Sequence, residues 1–187
     1  EIKIKQLQRI DEIDGVVVNS NSDEMLEIAS RLGAETVKRD EYYASSTVSM
    51  NEVYENMAQN MESDLVLFAD VTNPLVDDDT IRKVIRFYED NKGVYDSVAT
   101  ANSVKLFMWL NNSPMNYDAD NKPRSQDLPN ILALNYAVHI IPRELMIKKR
   151  DIVGYQPYLY LIDKIEAADI DEPEDFDFCE FMYLKKM

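Results

Sequence analysis

Leu65-Val66-Leu67-Phe68-Ala69 is an unbroken apolar run that stops at Asp70. Strands buried on both faces read this way, because helices covering a parallel sheet leave no wet face to alternate with. Upstream, Gly15-Val16-Val17-Val18-Asn19-Ser20 repeats the pattern, and a helix follows it. Ser22 can cap that helix, Asp23 and Glu24 suit its first turn, Gly33 can close it, and Met25, Ile28, Ala29 and Leu32 share a face. Thr36-Val37 is a brief strand. Ser49 with Glu52 makes a capping-box pattern ahead of a helix with Met50, Val53, Tyr54, Met57 and Met61 on one side. Downstream, Asp77 to Asp79 open a helix whose inward face is Ile81, Val84, Ile85 and Tyr88, and Ser97-Val98-Ala99-Thr100 is the next strand. Strands alternating with helices predict an α/β fold, a three-layer sandwich around a mostly parallel sheet, as one domain over residues 1–187.

The second half is less regular. Val104 to Leu110 reads as a strand carrying Lys105 and Trp109, and residues 111–130, rich in Asn, Asp and Pro, as a long polar loop of the kind that is functional or mobile. Ile131 to Ile141 resumes a strand, Pro142 can start a short helix, and Tyr158 to Ile162 is another strand. Pro173 opens a last helix with Phe176, Cys179 and Tyr183 inward.

Composition narrows the class. Lys and Arg number 20 against 35 Asp and Glu, a net charge of −15, which disfavours nucleic acid and anionic lipid as partners. The single cysteine, Cys179, excludes an internal disulfide and points to a cytoplasmic setting. No run approaches the roughly 20 apolar residues of a membrane span. Only 4 glycines occur and none sits in a phosphate-binding loop, whereas a doubly wound sheet normally begins with a strand and such a turn. The chain opens instead on a helix-like stretch, Glu1 to Leu7, so the nucleotide-holding half of a site is expected from outside these residues.

Ligands of open parallel sheets bind beyond the carboxyl ends of the strands. That nominates Ser20 and Asn21, Asp70 with Thr72, Asn73 and Pro74, and the polar loop near 124–127. In Ala168-Asp169-Ile170-Asp171-Glu172-Pro173-Glu174-Asp175, the aspartates at 169 and 171 point the same way on an extended backbone. They suit Mg²⁺, or they cap the last helix. In Pro123-Arg124-Ser125-Gln126-Asp127, Arg124 either clamps a carboxylate or phosphate through its fork or forms a surface ion pair.

Four segments, in order, resemble the acylneuraminate cytidylyltransferases: Val71-Thr72-Asn73-Pro74-Leu75, Arg124-Ser125-Gln126-Asp127, Asn135-Tyr136-Ala137, and Asp169-Ile170-Asp171 through Asp175. The resemblance spans residues 13–187 and implies a nucleotide-diphospho-sugar transferase-like fold with a segment, roughly 104–162, that dimerises and meets the sugar. It implies that Asp169 and Asp171 hold Mg²⁺, that Arg124 belongs with them in catalysis, and that Gln126 and Asn135 face an acidic nine-carbon sugar. Asp70, Thr72, Lys105 and His139 are further candidates for the sugar, and Arg39, Ser45 and Ser46 for the nucleotide. The implied reaction moves CMP from CTP to the sugar and releases pyrophosphate, in a homodimer. The chain departs from the family pattern at Asp70, Val76, Ser125, Tyr136 and His139, and His139, the only histidine, reads equally as a satisfied strand residue. With the phosphate loop missing, these departures motivate an alternative: a non-catalytic relative that binds sugar or a partner.

Overall fold

The computed structural model describes residues 1–186. In chain order the elements are α1 (Ile2–Leu7), β1 (Val17–Ser20), α2 (Asp23–Arg31), β2 (Glu35–Lys38), α3 (Met50–Gln59), β3 (Leu65–Phe68), α4 (Asp78–Asn91), β4 (Ser97–Val104), β5 (Trp109–Leu110), β6 (Ser113–Pro114), β7 (Ile131–Pro142), α5 (Arg143–Lys149), β8 (Pro157–Leu161) and α6 (Pro173–Lys186). β1 and β2 form a parallel pair, and the other long strands form a sheet in the order β3-β7-β4-β8. Strands β3, β4 and β8 run one way and β7 runs against its two neighbours. The reversal follows from the connection: β4 reaches β7 through an excursion that folds back, not through a crossover helix.

Helices cover this sheet on both faces. On one, Ile81, Val84 and Tyr88 of α4 pack with Leu7 and Ile10 against Val98, Val138 and Ile140. On the other, Ala58 of α3 and Met146 of α5 pack on Val66 and Ile141. Successive β7 residues therefore serve opposite layers, as the two-residue period of a strand requires. The expected caps form: Ser22 accepts from the Met25 amide, and Ser49 from the Glu52 amide. Gly33 takes φ +79 just past α2, a left-handed turn that glycine adopts without steric cost.

Several expectations change. β4 ends at Val104, so Lys105 lies beyond it, and residues 109–114 make a small hairpin with Trp109 and Leu110 exposed. The polar loop also holds a 3-10 turn at Ser125–Asp127. Met25, Met50 and Phe176, placed inward by periodicity, are exposed, while Cys179 is buried as expected. Those three sit in or next to the first turn of their helices.

Ile81 is fully buried between α4 and the sheet. Its replacement by alanine is expected to lower stability by about 2–5 kcal/mol. Val71→Ser, at a largely exposed position, should stay within about 0.5 kcal/mol of the parent. Urea unfolding of the two variants checks both.

Candidate active site

After β3 the chain runs irregularly from Ala69 to Asp77 before α4 begins. An irregular segment that enters the interior needs donors for its carbonyls away from any ladder. Side chains from remote parts of the chain provide them. The Lys3 ammonium donates to the Asn73 carbonyl at 2.9 Å, Gln6 Nε2 to that of Val76 at 2.6 Å, and Lys186 Nζ to that of Leu75 at 3.1 Å. The Ile170 amide donates to the Thr72 carbonyl at 3.0 Å. Asn73, fully buried, returns a bond from Nδ2 to the Ala168 carbonyl at 3.0 Å. Just upstream, Glu166 accepts from the Asp77 amide at 3.0 Å and from Thr80 Oγ1 at 2.8 Å, capping α4 where the Asp77 side chain does not.

This docking places Asp169 and Asp171 beside the turn that leaves the carboxyl end of β3. Capping at α6 falls to Asp175, whose Oδ2 accepts from the amides of Asp171 and Glu172 at 3.2 and 2.9 Å. Among the described residues neither the Asp169 nor the Asp171 carboxylate accepts a helix N–H. Asp169 Oδ1 and Asn73 Oδ1 are instead buried without a hydrogen-bond partner. A buried acceptor left bare costs about 1–3 kcal/mol unless something satisfies it. Hard oxygens of this kind suit Mg²⁺, which needs only one or two carboxylates because water and phosphate complete its shell. No group of three or more His, Cys, Asp or Glu comes together among the described residues. The donor set fits the ion.

The other strand-end candidates gather nearby. Asp70 Oδ1 lies 3.5 Å from the Thr72 amide, a weak brace across the turn. On β7, Tyr136 takes φ +54, and the β4–β7 register shifts between Ala99 and Ala101. That left-handed backbone costs a non-glycine residue roughly 1–2 kcal/mol, and Asn135 holds it in place. Its Oδ1 accepts from Thr100 Oγ1 at 2.7 Å and from the Ala137 amide at 3.3 Å. Asn135 is therefore committed to the bulge, with Nδ2 only 3.5 Å from Asn102 Oδ1 as a loose donor. The Tyr136 ring stacks on His139 at 5.3 Å, and Phe68 meets His139 edge-on at 6.4 Å. His139 is fully buried with both ring nitrogens unbonded, and burial holds its pKa down at about 4 despite the opposing pull of Asp151. It is a neutral imidazole at neutral pH. Burial, then the nearby Tyr136, Asp151 and Asp70, pushes the Tyr54 hydroxyl up to about 12.

The remaining candidates are engaged elsewhere. Arg124 Nε donates to Asp127 Oδ2 at 2.8 Å with its side chain three-quarters exposed, so the surface ion pair is present, and Gln126 is exposed beside it. Lys105 donates to the Leu128 carbonyl at 2.6 Å, tying this loop to the carboxyl end of β4. Arg39 donates from Nε to Asn19 Oδ1 at 2.6 Å and from Nη2 to the Asn19 carbonyl at 3.0 Å, and burial lowers its pKa. Ser45 donates to the Tyr42 carbonyl at 2.8 Å, and Ser46 is exposed. Among the described residues no hydrogen bond joins Arg39, Ser45 or Ser46 to the acidic segment.

Residues 1–180 match the family described as cytidylyltransferase. The chain belongs to that family. It is thereby a nucleotidyltransferase enzyme, as the residue pattern implied. It is 23% identical over 184 residues to the post-translational flagellin modification protein B of Campylobacter coli, covering 91% of this chain and 77% of that protein. It is 24% identical over 181 residues to a pseudaminic acid cytidylyltransferase of Campylobacter jejuni, covering 91% and 78%. Its fold superposes on a CMP:2-keto-3-deoxy-manno-octonic acid synthetase complexed with CTP, with a TM-score of 0.70 at 8% identity, over 100% of this chain and 87% of that one.

Within this cytidylyltransferase the residues that sequence reasoning missed are Lys3 and Glu166, and Asn73 was noted only as a strand-end residue. A signal existed for the first. Positions 3, 6, 7 and 10 form one helical stripe, all four are buried, and two of them are polar. Polar residues on a buried stripe must be serving some buried acceptor.

His139 makes stability depend on pH. Its folded pKa, about 4, lies below the ordinary 6.5, so the unfolded chain takes up the proton first. Stability is complete above 6.5 and declines as pH falls towards 4, by roughly 3 kcal/mol over the window. His139→Phe is expected to flatten this decline, read from urea midpoints of parent and variant at neutral pH and near the lower pKa.

Proposed function

We propose that this cytidylyltransferase transfers CMP from CTP to a nonulosonic acid, with Mg²⁺ held by Asp169 and Asp171. One observation carries the reading. Asp169 Oδ1 is buried with no partner on a segment locked to the β3 turn, while Asp175 does the capping that would otherwise explain these aspartates. The names of the relatives, one acting on pseudaminic acid and one modifying flagellin, support an acidic nine-carbon sugar for a surface glycan.

In this reading the anomeric hydroxyl of the sugar attacks the α-phosphate of CTP, pyrophosphate leaves, and the hydroxyl proton passes to solvent. Mg²⁺, when bound, neutralises phosphate charge. The chain's own part is to position. Arg124 exchanges Asp127 for the sugar carboxylate, a swap that its exposed, single-contact geometry leaves cheap, and Gln126 adds a hydrogen bond. The Nδ2 of Asn135 supplies an uncharged polar contact, neutral His139 backs this side of the sugar site beneath the Tyr136 ring, and Asp70, Thr72 and Lys105 stand around the same strand ends. Arg39, Ser45 and Ser46 serve the nucleotide from the β1–β2 part of the chain. CTP chemistry and a lone buried cysteine accord with a cytoplasmic enzyme. Among the described residues no helix is long and apolar enough to cross a membrane.

The test is CMP-sugar and pyrophosphate formation from CTP, Mg²⁺ and a panel of nonulosonic acids. Asp169→Ala with Asp171→Ala is expected to lower turnover by about 10²–10³-fold. Undiminished product would remove the metal assignment, and sugar binding without turnover by the parent would favour the binding-only alternative.

The same reading includes a homodimer joined at the hairpin, where Leu106, Trp109, Leu110 and Met115 are each more than half exposed. Trp109→Ser with Leu110→Ser is expected to yield monomers by light scattering while leaving the circular dichroism of the fold intact.

A further inference from the structure

The acidic segment is held by a relay that begins at the opposite end of the chain. Lys3 is almost fully buried, donating to Gln6 Oε1 at 3.0 Å and to the Asn73 carbonyl at 2.9 Å. Asn73 then donates to the Ala168 carbonyl at 3.0 Å, and the neighbouring Thr72 carbonyl takes the Ile170 amide at the same distance. These two bonds bracket Asp169. No side chain other than Lys3 donates to the Asn73 carbonyl, among the described residues. Nearby, Gln6 holds Val76 and Asp78, and so fastens α1 to the far side of the turn without touching Asn73.

We propose that Lys3 is a positioning residue for the Asp169–Asp171 segment, acting through the Asn73 peptide. The role rests on the metal reading of those aspartates. A buried ammonium is an expensive way to satisfy one carbonyl, because desolvation opposes the charge. That cost is visible here, since burial brings the Lys3 pKa down to about 8 although Asp70 and Asp78 pull it back up. An apolar residue would fill the same place on the helix stripe without it. What the ammonium adds is a charge-assisted bond, about twice as strong as a neutral one, aimed at the peptide whose side chain carries Ala168. Lys3 makes no contact with the aspartates, and its effect on them is one of orientation.

The experiment uses Lys3→Met, which keeps the length of the side chain and removes the donor, so the packing of α1 is preserved. Amide hydrogen exchange at Ile170 reads the relay directly. Its protection is expected to fall at least fivefold, the size of one lost hydrogen bond, while amides of α4 and β7 keep theirs. Arg9→Met, which cuts the link from the end of this segment to Asp78 without touching Lys3 or Asn73, is the control for a general loosening of α1 and is expected to leave Ile170 unchanged. Asn73→Ala, cutting the relay one step later, should reproduce the Lys3→Met pattern even if that variant folds poorly. Unchanged Ile170 protection in Lys3→Met and Asn73→Ala, or equal loss in Arg9→Met, would overturn the assignment. Mn²⁺ titration followed by electron paramagnetic resonance, with CTP present, separates the relay from the reading beneath it. Weaker Mn²⁺ binding in Lys3→Met, by about threefold or more, is the expected result. Mn²⁺ affinity unmoved by Asp169→Ala with Asp171→Ala would sink the metal reading itself, whatever the exchange data say of the relay.

Discussion

The site depends on satisfying the carbonyls of one irregular turn. Between β3 and α4 the backbone leaves the sheet yet stays largely inside the protein, with Asn73, Leu75 and Val76 buried. Its oxygens have no ladder to pair with, so Lys3, Gln6, Lys186 and the Ile170 amide come to them. The donors come from α1, from the end of α6 and from the irregular segment ahead of α6. Meeting the turn's requirement therefore fixes α1, α6 and the acidic segment in the same place, and the candidate metal ligands are positioned as a by-product of hydrogen-bond accounting.

Much of the fold was legible because burial on two faces leaves an unmistakable trace. The apolar runs at 65–69 and 97–100, and the stripe Ile81, Val84, Ile85, Tyr88, correspond to β3, β4 and the inward face of α4. The reversed direction of β7 was not legible, since an apolar run reads the same in either direction and only the connection decides it. Nor could periodicity tell that Met25, Met50 and Phe176 stay exposed. Helical spacing defines a face but not how far along the helix the neighbouring layer extends.

The site divides similarly. Asp169 and Asp171 stand out by spacing, but whether they cap a helix depends on Asp175, whose carboxylate reaches back to the amides of residues 171 and 172. Asn135 is a sugar candidate by resemblance, and what no spacing announces is that its Oδ1 also holds the Tyr136 bulge through Thr100, a partner 35 residues away. Arg124 shows the limit most clearly. Its pairing with Asp127 is local and readable, whereas the loop's attachment to the carboxyl end of β4 depends on Lys105 reaching the Leu128 carbonyl, 23 residues on. Contacts between distant residues leave no periodic mark in a sequence.

The donors that serve the turn come from residues 3, 6, 170 and 186, close to both ends of the described chain, while their acceptors lie at 72–76. Closing such long loops is entropically costly, and contacts of high sequence separation form late. The two hydrophobic cores are built mainly from residues 53–152 and can condense earlier. Assembly of the acidic segment against the turn is then a closing event of folding, and a nearly folded chain would carry its core without that segment in place. A fold organised this way withholds its chemistry until contacts 70 to 111 residues apart in sequence have closed.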